Sequence, residues 1–164
     1  MLKQSLILLL AIGCLSSCAP TATVYIVRHA ERANDTDTTS LSVEGLRRAD
    51  KLAQRLAGVK LDTVYVTPYT RTRQTAQPTA QSKRLPLTQY PTSPVAKLTS
   101  RIRTFRGQSA LVVGHSNTVL EIAKELGAKP VLQKIEHGDY ANLLIVKLRQ
   151  TGAGWKATLR EETY

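Results

Sequence analysis

The sequence predicts one α/β domain, a three-layer sandwich with a mostly parallel central sheet flanked by helices. Three observations carry this. Short β-branched runs at residues 24–27, 63–66 and 110–113 read as buried strands. Segments of helical apolar spacing alternate with them, the pattern of a sheet covered by helices. The 164 residues, 42% of them hydrophobic, suffice for a single core and argue against disorder.

The first segment reads as an address. Met1-Leu2-Lys3 precedes an apolar run over residues 6–15. A short positive region followed by such a run is a secretory signal pattern. The run is too short for a spanning helix, which needs about 20 residues. It ends in Leu15-Ser16-Ser17-Cys18, which resembles a bacterial lipobox, with Ala11-Ile12-Gly13-Cys14 as a competing tetrad of weaker first position. The expected organisation is therefore a lipoprotein signal peptide over 1–17, a tether over 18–23 and the domain over 24–164. Cys18 is the expected lipidation site, which would make the protein extracytoplasmic and anchored to a bacterial envelope membrane.

The domain follows in order. Residues 34–40 are polar and read as a loop. Ser42 is placed to cap a helix with Glu44 in its first turn, and Val43, Leu46, Ala49, Leu52, Ala53 and Leu56 recur at helical spacing up to Gly58. Thr67-Pro68 reads as a cap and first position of the next helix, which Pro78 should end or bend. Residues 85–94 hold three prolines and read as an excursion; 95–105 read as a basic helix. Ser116 is placed to cap a helix carrying Val119, Ile122, Ala123 and Leu126, with Gly127 at its end. Residues 142–148 and 155–159 read as terminal strands.

The formal net charge is +11, and it is unevenly spread. Residues 63–120 contain no Asp or Glu but eight basic side chains: Arg71, Arg73, Lys83, Arg84, Lys97, Arg101, Arg103 and Arg106. Such a balance points to an anionic partner. Both cysteines, Cys14 and Cys18, lie in the signal region, so the mature domain has no disulfide, thiolate metal site or Cys nucleophile. Aromatic residues do not interleave with the basic run as stacking platforms would, which weakens a nucleic-acid reading.

The chemistry sits at three strand ends. The first strand runs into Arg28-His29-Ala30-Glu31-Arg32, the second leads to Arg71, and the third runs into Gly114-His115-Ser116-Asn117. If the strands are parallel neighbours, two Arg and two His converge at the carboxyl edge of the sheet, where ligands of open α/β sheets sit. Arg forks match phosphate oxygens, and imidazole can act as donor, base or nucleophile. No carboxylate or Cys cluster offers a metal cage, so neither a metal nor another cofactor is expected.

These residues resemble the histidine phosphatase superfamily, which includes phosphoglycerate mutases and acid phosphatases. Val27-Arg28-His29-Ala30-Glu31 is similar to its Arg-His-Gly signature, with Ala30 for Gly; residues 41–45, 67–76 and 113–117 resemble three further elements in order. The resemblance implies a phosphoglycerate mutase-like fold and a phosphatase working through a phosphohistidine on His29. It implies Arg28 and Arg71 as phosphate clamps and His115 as a hydrogen-bond donor to the same phosphate. Arg32 matches a further phosphate-pocket Arg of one branch, with Ser116 and Asn117 as companions in substrate binding.

The sequence departs from the family at the proton donor. One branch carries it in the stretch that is free of acids here; another has Asp directly after the second His, where Ser116 stands. Glu31 is the candidate that remains next to the nucleophile, with Asp35 and Asp37 behind it, although a carboxylate beside Arg28 and Arg32 should have a lowered pKa, which favours a loop-fixing role for Glu31 over that of an acid. A missing acid favours small phosphorylated substrates with good leaving groups. The alternative reading is a catalytically weak member that binds phosphorylated ligands outside the cytoplasm. His137, in Glu136-His137-Gly138-Asp139, reads as a turn residue with no catalytic role. Replacing Cys18 with Ser is expected to move the protein from the membrane to the soluble fraction on cell fractionation; retention in the membrane would contradict the anchor.

Overall fold

The computed structural model describes residues 19–164; the expected signal segment and Cys18 lie outside the described residues. The elements are β1 (Thr21–Arg28), α1 (Val43–Arg55), β2 (Thr63–Val66), α2 (Thr70–Lys83), β3 (Leu87–Gln89), α3 (Ala96–Ile102), β4 (Ser109–Gly114), α4 (Val119–Glu125), β5 (Asn142–Thr151) and β6 (Gly154–Thr163). They form one six-stranded sheet of order β3-β2-β4-β1-β5-β6. The β1–β4, β2–β4 and β2–β3 pairs are parallel, whereas β5 runs antiparallel to both β1 and β6. The sheet is therefore mixed, with β5 alone reversed.

The strands are buried on both faces, which is why their apolar runs are continuous. Val24, Ile26, Ala110 and Val112 pack with Leu98 and Ile102 of α3 and Val119, Ile122 and Ala123 of α4. On the other face Val27, Val64, Val66, Leu111 and Val113 pack with Leu52 of α1 and Ala76 and Ala80 of α2. Two helices on each side give the expected three layers.

Several local expectations change. β1 begins at Thr21, inside the expected tether, because Thr21 pairs with Arg149 and Thr23 with Lys147 of β5. In α1 the Ser42 side chain accepts from Gly45 N as expected, but Val43 and Leu46 are 67% and 47% exposed; Gly45, Ala49 and Leu52 form the buried face. Residues 67–69 stay outside the helix, and α2 starts at Thr70 with Tyr69 extended at its N-cap. Pro78 lies within α2 and does not end it, since Thr75, Ala76, Thr79 and Ala80 around it are buried and hold the helix to the sheet. The proline-rich excursion contains the edge strand β3, whose parallel pairing to β2 no local alternation announces. The basic helix is shorter than expected. Ser116 does not cap α4; it sits in a turn, and Thr118 is the N-cap residue.

The segment between β1 and α1 is closed by an Arg32–Leu41 bridge and by Ser42 N donating to Glu31 O at 2.9 Å. Gly45 makes this approach possible, because a Cβ there would lie 2.3 Å from Glu31 O. Gly45→Ala should thus cost about 2 kcal/mol, read as an earlier urea midpoint; an unchanged midpoint would refute the close-approach argument.

Candidate active site

Because β2, β4 and β1 are adjacent and parallel, their carboxyl ends open on one rim. Arg28 is in register with Gly114, and His29 N donates to Gly114 O at 2.9 Å, so the first and third motifs end level. Gly114 is required there: a Cβ would meet Thr118 Oγ1 at 2.9 Å and Tyr90 OH at 3.0 Å. Thr118 uses that space to accept from His115 N at 3.0 Å, which fixes the turn after β4.

The rim encloses a cavity of about 300 Å³ lined by Arg28, His29, Arg32, Tyr69, Arg71, Thr92, His115, Ser116, Asn117 and His137. Seven of the expected site residues are thus brought together. Glu31 is the exception, and the structure removes it as a possible proton donor in favour of the loop-fixing role. It does not line the cavity, and its carboxylate accepts a fork from Arg48 Nε on α1 at 2.7 and 2.9 Å. That ion pair makes Glu31 a loop-fixing residue rather than a proton donor. Asp35 pairs with Arg32 at 2.5 Å, and the Asp37 carbonyl accepts from Arg71 Nη1 at 2.7 Å.

Both clamp candidates are buried. Arg28 Nη1 donates to the carbonyls of Glu136, His137 and Asp139 at 2.8–3.0 Å, and its guanidinium lies 4.2 Å from the Tyr140 ring centroid. Arg71 lies 4.2 Å from the Tyr69 ring centroid. Cation–π contacts and carbonyls hold the two cations without neutralising them. Burial is the main cause lowering both guanidinium pKa values from their ordinary range. Neither Nε has a partner within the protein, although both atoms are buried. Unpaired buried donors on two cations facing a common cavity are the mark of an anion site.

The histidines have assignable tautomers. His29 Nδ1 lies 2.8 Å from Ala30 O, which can only accept, so Nδ1 carries the proton and Nε2 keeps its lone pair. His115 Nε2 lies 3.0 Å from Thr67 Oγ1. Thr72 Oγ1 donates to the Thr67 or Tyr69 carbonyl and accepts a hydrogen bond from the Thr67 hydroxyl at 3.0 Å. Thr67 is then an acceptor, and His115 donates from Nε2. Burial pushes His29 down to about 3, helped by His115, Arg28 and Arg71 and opposed by the Ala30 hydrogen bond. Burial, then Arg71 and Arg28, pushes His115 down to about 4. Both rings are neutral at pH 7, and their centroids stand 5.4 Å apart, edge to face. Among the described residues no three His, Cys, Asp or Glu group to hold a metal ion.

Sequence reasoning missed Tyr69, Thr92, Tyr140 and His137. His137 reaches the cavity edge, with Nε2 3.3 Å from Arg32 Nη2 and 3.9 Å from Asp35 Oδ1. The only sequence signal was that it is one of three histidines in the chain. The loop that brings it there docks on Arg28 through backbone carbonyls, which leave no side-chain pattern.

Residues 24–92 match the sequence model of the family described as the histidine phosphatase superfamily, branch 1. No curated protein matches the chain. Among solved structures, the protein histidine phosphatase SixA complexed with tungstate shares 21% identity over 86% of this chain and 96% of its own, with a TM-score of 0.67. A mycobacterial glucosyl-3-phosphoglycerate phosphatase shares 12% over 88% and 98%, with a TM-score of 0.65. Phosphoglycerate mutase from Plasmodium falciparum shares 18% over 87% and 91%, with a TM-score of 0.63. At these identities the likeness establishes a shared fold, the phosphoglycerate mutase-like sandwich.

The depressed histidines set a pH dependence. Folded, His29 and His115 stay neutral down to about 3 and 4, whereas a free histidine side chain takes up its proton near 6.5. Between pH 6.5 and 4 the unfolded chain binds more protons, so stability is full above 6.5 and is lost as pH falls. The slope approaches about 1.4 kcal/mol per pH unit for each histidine. Urea unfolding from pH 6.5 to 5 should show this slope, and His115→Asn should remove about half of it; a flat profile would contradict the buried neutral pair.

Proposed function

We propose, with the histidine phosphatase match over residues 24–92 as the premise, that this chain is a phosphatase acting through a covalent phosphohistidine on His29. The observation that supports it most is the pair of unpartnered guanidinium Nε atoms beside a neutral His29 whose Nε2 lone pair is unspent. The tungstate complex of a protein with the same fold supports an oxyanion as the ligand class.

In the first step His29 Nε2 attacks phosphorus. The N–P bond forms as the bond to the leaving oxygen breaks, and the leaving oxygen takes a proton. The Nδ1–H held by Ala30 O lets the ring carry the positive charge that develops. Arg28 and Arg71 bind the phosphoryl oxygens and stabilise the charge spread over them. His115 donates to the same group after taking a second proton at Nδ1, which the dianion's charge promotes. Arg32, Ser116 and Asn117 contact the substrate at the cavity edge. In the second step water attacks phosphorus, the N–P bond breaks, and inorganic phosphate leaves with His29 restored. Charge neutralisation falls to arginine, with no metal or other cofactor in the scheme.

The proton donor is His137, the exposed cavity residue next to Arg32 and Asp35, whose ring takes a proton from solvent and passes it to the leaving oxygen. Its position on the open rim suits small substrates that need little acid assistance, such as aryl phosphates or phosphoanhydrides. We place the enzyme outside the cytoplasm, anchored through Cys18.

Aryl phosphate hydrolysis should fall by about a thousandfold or more in His29→Ala, measured as phosphate release. Activity retained in that variant would remove His29 as nucleophile. A wild type that binds inorganic phosphate but releases none from the ester would favour the binding-protein alternative. His137→Ala should lower turnover of an alkyl phosphate by about a hundredfold while leaving a nitrophenyl phosphate within about threefold. Equal losses on both esters would exclude proton donation.

A further inference from the structure

A second concentration of unneutralised positive charge lies at the opposite end of the sheet. Arg149 on β5 stands directly across from Lys156 on β6 and from Thr21 on β1; Lys147 stands across from Thr158 and Thr23. Directly paired residues of antiparallel strands share a face, so the three cations lie together. They line a trough of about 490 Å³. Among the described residues none of the three makes an ion pair, and no carboxylate or aromatic ring lines the trough. Farther along the same face the pattern differs. Arg160 on β6 is paired with Glu162, as is Arg55 of α1, and Ile145 packs in the core. Like charges directly opposite in a sheet are destabilising, so the Arg149–Lys156 pair is a cost that an external anion would relieve.

The place of this trough in the chain identifies the anion. β1 starts at Thr21, in the same cross-strand row as Arg149 and Lys156, and Gln150 N donates to Pro20 O at 2.8 Å. In the sequence the apolar run 6–15 and Cys18 lie immediately upstream. Three residues from Cys18 to Thr21 span at most about 11 Å, so a tether short of full extension leaves the trough within the roughly 8 Å Debye length of physiological salt. A membrane that holds the N-terminus therefore lies within electrostatic reach of the trough. β1 then runs eight residues to Arg28, about 26 Å, so the active-site cavity opens at the far end. The trough offers no ring on which a base could stack, which disfavours nucleic acid.

We propose that the trough of Lys147, Arg149 and Lys156 is the membrane-facing surface of the domain. It docks on anionic phospholipid headgroups and turns the cavity away from the bilayer. The proposal rests on the anchored N-terminus but not on the phosphatase reading.

The test uses the full chain carrying Cys18→Ser and compares partition to phosphatidylcholine vesicles with partition to vesicles containing a third phosphatidylglycerol. The apolar segment contributes to both, so their ratio isolates charge. Lys147→Gln/Arg149→Gln/Lys156→Gln should lower the ratio by roughly a hundredfold. A control of equal charge change, Arg47→Gln/Lys51→Gln/Arg73→Gln, should lower it by less than about threefold. The trough variant should hydrolyse an aryl phosphate at the parent rate and unfold at no lower urea, which shows that the loss is not misfolding. Equal losses in the two variants, or none in the trough variant, would overturn the proposal. So would trough-dependent binding of a short DNA duplex tighter than binding to the anionic vesicles.

Discussion

Two guanidinium groups are buried at the carboxyl edge of the sheet without a carboxylate partner, and the arrangement of the site depends on that constraint. Taking a charge out of water costs several kcal/mol unless something compensates it. The direct contacts of Arg28 and Arg71 come from neutral groups, four backbone carbonyls and the faces of Tyr140 and Tyr69, while Asp139, Glu31 and Asp37 act on them only at a distance. A salt bridge would have stabilised each cation more but would have used its charge. The neutral cage leaves both Nε atoms and both charges available to a ligand anion.

The fold supplies this cage from three separate stretches. The segment after β1 is closed on itself and gives the Asp37 carbonyl to Arg71. The turn before α2 and the first turn of that helix set Thr67, Tyr69 and Thr72, which orient His115 and cover Arg71. The segment before β5 gives three carbonyls and Tyr140 to Arg28. Parallel pairing of β1, β4 and β2 brings these loops to one edge. Burial, with a smaller contribution from the same cations, keeps His29 and His115 neutral. A neutral imidazole is the nucleophilic form, so in the proposed reaction the burial of this edge would prepare both the phosphate site and the attacking atom.

The sequence made the strands legible because residues 24–27, 63–66 and 110–113 are apolar without interruption, and burial on both faces permits that. Arg28, His29, Arg71 and His115 were legible because each follows such a strand closely. Three features were not. β3 is a three-residue edge strand between prolines, so its pairing with β2 is a tertiary fact. Glu31 stood as a possible acid because it lies near His29 in the chain; the partner that gives it a loop-fixing role, Arg48, is set by how α1 docks. His137 and Tyr140 reach the site through a loop held by its backbone, and backbone carbonyls carry no residue identity to recognise.

The central claim is that the anion held by Arg28 and Arg71 is a phosphoryl group passed to His29. Rapid quenching under alkaline conditions during aryl phosphate turnover, followed by peptide mapping, tests it most directly. The account predicts an acid-labile phosphate on the peptide containing His29, absent in Arg71→Ala and in unreacted protein. Steady phosphate release with no phosphate ever trapped on His29, or with the label on another residue, would contradict it.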